Sequence, residues 1–362
     1  MDHIQQGITV IHGSQELQRM TIELLEAVEL AKRIRKNSWI CLKPNLVVAQ
    51  PAEEGATTHP EIVEGTIKYL QTHGFNSITI AEGSWVGDST ERAFKRCGYT
   101  ALSDRYHVPL IDTQKIGYDS IYSEDFSLDV CDCMKDFDVL INMPVLKGHC
   151  QTRYTGALKN LKGCIPDCEK RRFHSEGLHE PIARLNTVLR QDFIIMDGIC
   201  GDPTFEEGGS PSDMNRILFC SDPVLIDSYA VSLLGVKPEE VPYITRSAEL
   251  GVGKLYDPAD GLREINKEET PGKSFVQDPI LKEVASQIDQ RDACSSCFAN
   301  LIEALRQTQC KEQFVIGRAF RDKALCKDIE DRIGIGNCTF NCRKHIKGCP
   351  PSVEEIITYL SS

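Results

Sequence analysis

Short apolar runs, each closing on a polar cluster and followed by a stretch of helical period, set what this chain can fold into. Ile8–Ile11, Trp39–Leu42, Ser77–Ala81, Val108–Ile111, Val139–Met143, Phe193–Met196 and Arg216–Cys220 read as strands. Gln15–Ile34, Pro60–Leu70, Ser89–Cys97, Ala101–Tyr106, Leu178–Leu189, Pro223–Leu234 and Tyr243–Leu250 read as the helices between them. Residues 113–130 read as an irregular insertion or a hairpin. Strands that alternate with helices imply an α/β fold, a doubly wound and mainly parallel sheet. In such a sheet the polar strand ends line one rim, where open α/β folds place their ligands.

Polar and charged clusters stand at those ends. Lys43 and Asn45 follow the second strand, and Glu82 and Ser84 the third. Lys147 and His149 follow Val139–Met143, and Asp197 follows Phe193–Met196. The stretch Pro144–Gly163 then continues as a helix pattern, with Tyr154, Ala157, Leu158 and Leu161 on one face and Thr155, Lys159 and Lys162 on another. Gly163 reads as a left-handed stop to that helix. Thr57-Thr58-His59-Pro60 places threonine hydroxyls and free backbone N–H groups before a helix that starts at proline, a layout that suits a phosphate. Gly208-Gly209-Ser210 lacks both the dinucleotide-binding spacing and a P-loop lysine, so neither activity is expected from it.

Near Thr270 the texture changes to a charged, Pro- and Gly-containing linker, and beyond Asp292 the chain is dense in cysteine. The expected division is an α/β domain over residues 1–275 and a small cysteine-rich C-terminal module over 276–362. A net charge of −12 argues against general binding of nucleic acid or an anionic membrane, since both need a basic surface to displace counterions. No apolar run approaches the roughly 18 residues of a membrane span. The start, MDHIQQGITV, has no charged-then-apolar layout, so a cytoplasmic protein is expected. In that reducing compartment 16 cysteines are not read as disulfides but as metal ligands, reactive thiols or small buried apolar groups.

Cys294-Ser-Ser-Cys297 opens a helix pattern, and Cys338, Cys342 and Cys349 follow. Thiolates at a helix start are favoured by its dipole. Two such thiolates and two distant ones complete a four-thiolate set, which both zinc and a 4Fe–4S cluster use. Spacing alone leaves the two open. Cys349-Pro350 is similar to the pair that ends a bacterial ferredoxin run, but the run itself is missing, so a two-cluster ferredoxin is not expected.

LKPNLV (Leu42–Val47), TTHP (Thr57–Pro60), KGH (Lys147–His149), GALKNLKG (Gly156–Gly163), MDGI (Met196–Ile199) and SDPVLIDSYA (Ser221–Ala230) occur in that order. Together they resemble the domain of unknown function 362 family over about residues 5–260. Members are often joined to iron–sulfur segments, so the resemblance implies a redox-associated, cluster-binding protein. It favours one 4Fe–4S cluster on Cys294, Cys297, Cys338 and Cys349, with Cys342 in reserve. Lys43, Asn45, Lys147, His149, Lys159, Asn160, Asp197 and Asp227 are the positions that match its motifs. With Thr58, all of these but Asp227 form the expected site for an anionic small molecule.

The expectation is therefore an iron–sulfur protein, a redox enzyme or electron-transfer protein with an anionic substrate and an electron-transfer protein as a possible partner. The alternative is a non-redox hydrolase or transferase with a structural zinc in the tail.

Overall fold

The computed structural model describes residues 7–123, 126–267, 284, 286–291, 293, 295–327 and 331–361. Contacts divide the chain into two compact units, 1–171 with 178–275 and 172–177 with 276–362.

The strands of the first unit are β1 (Ile8–His12), β2 (Ile40–Pro44), β3 (Ile78–Glu82), β4 (Leu110–Asp112), β5 (Tyr118–Tyr122), β6 (Ser127–Cys131), β7 (Val139–Met143), β8 (Lys147–His149), β9 (Arg153–Thr155), β10 (Phe193–Gly201), β11 (Ser212–Cys220) and β12 (Leu262–Glu264). Eight of them form one sheet in the order β12-β1-β11-β10-β7-β2-β3-β4. β11 runs against both neighbours, and every other adjacent pair is parallel. This is the α/β sheet that the alternating pattern implied. From β2 the chain moves outward to β3 and β4, then returns to β7 on the other side of β2 and continues to β10. The order reverses between β2 and β7, which makes their carboxyl ends the switch point of the sheet. Lys43 and Pro44 there lie in register with Asn142 and Met143.

The core explains why these strands form. Ile40, Leu42, Ile78, Ile80, Ile141, Ile195 and Ile217 are buried together with Leu24, Leu25, Val63, Ile67 and Leu70 from the flanking helices. Strands buried on both faces read as nearly continuous apolar runs, which is what made them visible in sequence. The segment 113–130 contains the β5–β6 hairpin.

Three local readings are corrected. The first long helix breaks into Leu17–Ala27 and Leu30–Arg33, with Glu29 in a left-handed conformation at φ 51°. The Ala31 N–H at the break donates to the Tyr69 hydroxyl at 2.9 Å, which compensates the lost helical bond. The Lys147–Thr155 stretch is a tight hairpin, β8 with β9, and the helix after it is short, Ala157–Asn160, ending in a 3-10 turn. Gly163 lies inside that turn, Leu161–Cys164, and is not a left-handed stop. What requires glycine is space: a Cβ there would lie 2.2 Å from Glu82 Oε1 and 2.6 Å from Lys43 Nζ.

The second unit is built on four short parallel strands in one sheet, β13 (Ile288–Gln290), β14 (Phe314–Ile316), β15 (Ile333–Ile335) and β16 (Lys344–Ile346). The helices Ser295–Thr308 and Val353–Leu360 belong to the same unit. No helix among the described residues is long and apolar enough to cross a membrane.

Candidate functional site

The exits of β2 and β7 carry the polar residues expected at the switch point, and the fold buries them. Lys43, Asn45, Thr58, Lys147, His149, Lys159, Asn160 and Asp197 are all within 5% of complete burial. Burying ionic and amide groups is costly unless each finds a partner, so their bonds can be followed one by one.

Lys43 forms an ion pair with Glu82 from the end of β3 and also donates to its neighbour's carbonyl at Pro44. Burial nevertheless outweighs Lys43 and raises the pKa of Glu82. Behind this pair runs a chain of carboxamides. Asn45 donates to Asn160 at 2.9 Å, Asn160 to Asn142 at 2.7 Å, Asn142 to Gln191 at 2.6 Å, and Gln191 to Asn186 at 2.8 Å. Lys147 Nζ enters the same chain at Asn45 Oδ1, 3.2 Å away. Thr58 joins β2 to β7, accepting from the Asn45 N–H and donating to the Met143 carbonyl.

One carboxylate gathers the remaining cations. Glu206, on the loop between β10 and β11, receives Lys159 on Oε1 and the His149 ring on Oε2, the latter at 3.1 Å. Lys147 donates to the Glu206 backbone carbonyl at 2.9 Å and to the Ala56 carbonyl. His149 Nδ1 accepts the backbone N–H groups of Gln151 and Thr152, both at 3.0 Å. The ring proton therefore sits on Nε2 and points at Glu206. Burial and the nearby Lys159 charge push His149 down to about 4, so at neutral pH the imidazole is uncharged. Burial lowers Lys147 to about 8, with Lys159 adding to the effect. Lys162 falls to about 7 for the same two reasons. Burial alone would raise Glu206, but Lys159, His149 and Lys147 outweigh it and hold the carboxyl well below its ordinary range.

The loop that carries Glu206 is fixed at its base. Asp202 accepts from the N–H groups of Thr204, Phe205 and Ser210 at 2.8–2.9 Å, and its carbonyl accepts from Gly148 of β8 at 2.7 Å. The short helix that presents Lys159 and Asn160 is fixed by Asp227, which accepts from the N–H groups of Ala157 and Leu158 at 2.7 and 2.9 Å and from the Tyr154 hydroxyl. Glu206 keeps a side-chain exposure of 17%, so the site has an opening to solvent. Two lysines and an imidazole around one partly exposed carboxylate are the kinds of group that pair with carboxylate oxygens.

The structure thus brings Lys43, Asn45, Thr58, Lys147, His149, Lys159 and Asn160 into one connected polar network. Asp197 is placed apart, on β10, which runs on to Gly201 rather than ending at Met196. Its Oδ2 accepts from both the backbone N–H and Nδ1 of His59, each at 2.8 Å. The N-terminus of the helix Pro60–Thr72 is therefore already met by a carboxylate of the protein. The pairing holds His59 at about 11, outweighing the burial that would lower it. Glu206 was not singled out in sequence. Its only signal was a Glu-Glu-Gly-Gly run in a loop.

In the second unit, Cys294 lies outside the described residues. Cys297 stands on the helix Ser295–Thr308, and its sulfur would be 3.3 Å from a Cβ placed on Gly336, in the turn after β15. Cys338 is in that same turn and accepts from Arg321 at 3.4 Å, while Cys349 follows Gly348 after β16. Cys342 is buried with its sulfur 3.5 Å from that of Cys326, in a cluster with Val315 and Phe320. Among the described residues, no three His, Cys, Asp or Glu side chains converge as metal ligands.

Comparison with known proteins places this geometry in a family. The family described as Domain of unknown function (DUF362) matches residues 40–232, which hold the switch point and the Glu206 loop. The thylakoid-associated protein sll1697 of Synechocystis sp. is 26% identical over 234 residues, 60% of this chain and 70% of that protein. The lactate racemase apoprotein from Thermoanaerobacterium thermosaccharolyticum aligns with a TM-score of 0.41 at 10% identity, over 65% of this chain. The alignment spans 58% of that racemase chain.

Proposed function

This chain belongs to the DUF362 family, and we propose that its first unit is an enzyme domain that binds an anionic small molecule at the switch point of the sheet. The observation that carries the reading is the Glu206 carboxylate, held between Lys159 and His149 with Lys147 on its backbone. Glu206 is the protein's own anion in a cationic site, and a substrate carboxylate or phosphate takes its place. The test is thermal stabilisation by inorganic phosphate, which raises the melting temperature by mass action. Lys159→Ala and Lys147→Ala are expected to reduce that shift. A shift unchanged in both variants overturns the reading.

A second reading concerns the tail. Cys297 lies against the turn after β15 that carries Cys338, and Cys349 follows β16; with Cys294 these are the four thiols we assign to a 4Fe–4S cluster, although three do not converge as ligands among the described residues. Such a cluster supplies one-electron transfer, which makes the whole chain a redox enzyme or electron-transfer protein. Iron and acid-labile sulfide in equal amounts in anaerobically purified protein support this. Stoichiometric zinc without iron leaves the alternative of a non-redox hydrolase or transferase.

A further inference from the structure

Thr155 is fully buried, and its hydroxyl has no hydrogen-bond partner among the described residues. Leaving a buried hydroxyl unpaired is costly, so an orphan of this kind calls for a reason. Its position supplies one. Thr155 ends β9 and stands directly opposite Lys147 of β8 in an antiparallel pair. Residues opposite each other in such a pair share a face of the ribbon, and so do residues two apart on one strand. Thr155, Lys147 and His149 therefore face the same way. Lys147 Nζ reaches the Glu206 carbonyl at 2.9 Å and His149 Nε2 reaches Glu206 Oε2 at 3.1 Å, which puts the Glu206 site on that face. Gly156 follows Thr155 and opens the Ala157–Asn160 helix that carries Lys159, the other partner of the Glu206 carboxylate. The unpaired hydroxyl thus belongs to the wall of the anion site.

The donors around Glu206 can be counted. Lys147 uses its three N–H groups on Asn45, Ala56 and the Glu206 carbonyl. His149 gives its ring N–H to Oε2. Lys159 has three N–H donors and, among the described residues, gives one, to Oε1. A planar carboxylate has two oxygens, and Lys159 and His149 take one each. Two N–H groups of Lys159 and the Thr155 O–H are left over. The protein's own anion is one oxygen short of its site.

We propose that Thr155 selects the substrate class of this site, and that the class is phosphate monoesters. The proposal rests on the reading that a substrate anion displaces the Glu206 carboxylate. A monoester presents three terminal oxygens on one phosphorus, and Lys159, His149 and Thr155 take one each. Those oxygens only accept, which matches a site whose open positions are an O–H and two N–H groups. A simple carboxylate would leave Thr155 as Glu206 leaves it, unpaired.

The test is isothermal titration of the full chain with methyl phosphate, acetate and glycolate, the last a carboxylate whose third oxygen is a neighbouring hydroxyl. Methyl phosphate is expected to bind the most tightly. Thr155→Val keeps the shape and removes the hydroxyl, and is expected to lower the ratio of methyl phosphate to acetate affinity about tenfold, the effect of one hydrogen bond to a charged oxygen. Comparing this ratio between variant and unaltered chain removes the effect of the larger phosphate charge. Thr155→Ser keeps the hydroxyl and is expected to keep the ratio. In phosphate-free buffer Thr155→Val is expected to have a urea midpoint no lower than that of the unaltered chain, since it removes an unpaired group. A lower midpoint would mean that the hydroxyl has a partner inside the fold and overturns the proposal. If Lys159→Ala loses methyl phosphate binding while Thr155→Val keeps the ratio, the role of Thr155 falls and the Glu206 site stands. Glycolate that binds more tightly than methyl phosphate, and loses that advantage in Thr155→Val, overturns the phosphate class. Absence of binding by all three, or binding unchanged in Lys159→Ala, overturns the site and the proposal together.

Discussion

The His149 ring donates its Nε2 proton to Glu206 Oε2 at 3.1 Å, so a neutral imidazole and a lysine, Lys159, share one carboxylate. Replacing that carboxylate by an amide of the same shape keeps the packing and removes the charge. Glu206→Gln is expected to bind phosphate at least about tenfold more tightly than the unaltered protein, a gain of about 1.4 kcal/mol. In phosphate-free buffer the variant loses charge-assisted bonds and is expected to be less stable by about 1–3 kcal/mol. Isothermal titration with phosphate and urea denaturation check the two halves. Equal phosphate affinity in both proteins would show that Glu206 does not compete for the site.

Acid should weaken the fold through the same pair. His149 titrates at about 4 in the folded protein and at ~6.5 when unfolded. Between these values the unfolded chain binds more protons, so stability rises with pH and is lost as pH falls from ~6.5 toward 4. The full contribution is about 3 kcal/mol. Asp227, raised to about 7 by burial, acts in the opposite direction over part of this range, so the comparison must be with a variant that keeps it. Urea midpoints at pH 7.5 and 4.5 are expected to fall less in His149→Gln than in the unaltered chain. An equal fall in both would remove His149 from the account.

Gly148 offers a way to move Glu206 without touching any charged group. A Cβ at this position would lie 1.9 Å from the Pro203 carbonyl oxygen and 2.7 Å from the Thr204 nitrogen. Both are backbone atoms, so the loop itself must shift. Gly148→Ala is expected to cost about 1–3 kcal/mol, as overpacking does, and to tighten phosphate binding in the same direction as Glu206→Gln. Unchanged urea stability and phosphate affinity would show that the hairpin does not set the loop.

The switch point was legible because buried parallel strands announce themselves as apolar runs, and their exits could be read as Lys43/Asn45 and Lys147/His149. Which of these cations would find an internal partner was not legible. Glu206 lies in an irregular loop, about fifty residues beyond Lys159, and no period marks it. Likewise His59 and Asp197 are far apart in the chain, and no period marks that the carboxylate closes on that histidine. Gly163 was visible as a glycine but for the wrong reason. A left-handed stop and a space too small for a Cβ look the same in sequence.

The carboxamide chain predicts a stability effect away from any charge. Asn160 accepts from Asn45 and donates to Asn142, and all three are buried. Asn160→Leu leaves one donor and one acceptor without partners, at about 1–3 kcal/mol each. Asn160→Asp restores the acceptor alone and is expected to be no better, because it buries a charge in its place. Urea denaturation of the two variants checks this. A loss below about 0.5 kcal/mol for Asn160→Leu would mean that water or rearrangement satisfies the orphaned groups.

Cysteine substitutions in the tail can separate ligand from core. A thiol that ligates a metal must ionise, and Cys342 is poorly suited to that. Its pKa is pushed up to about 12 by burial and by the Cys326 sulfur 3.5 Å away. Its packing with Val315 and Phe320 is that of a small apolar side chain. Cys342→Ala is therefore expected to leave the iron content of anaerobically purified protein unchanged while lowering stability by about 1 kcal/mol. If the proposed cluster is present, Cys338→Ala and Cys349→Ala are expected to reduce iron and sulfide together, since each would remove one of its four thiolates. If Cys342→Ala loses iron and Cys349→Ala keeps it, the buried pair Cys326/Cys342 is the better candidate for ligation. The local structure around Phe320 must then open for the metal to enter.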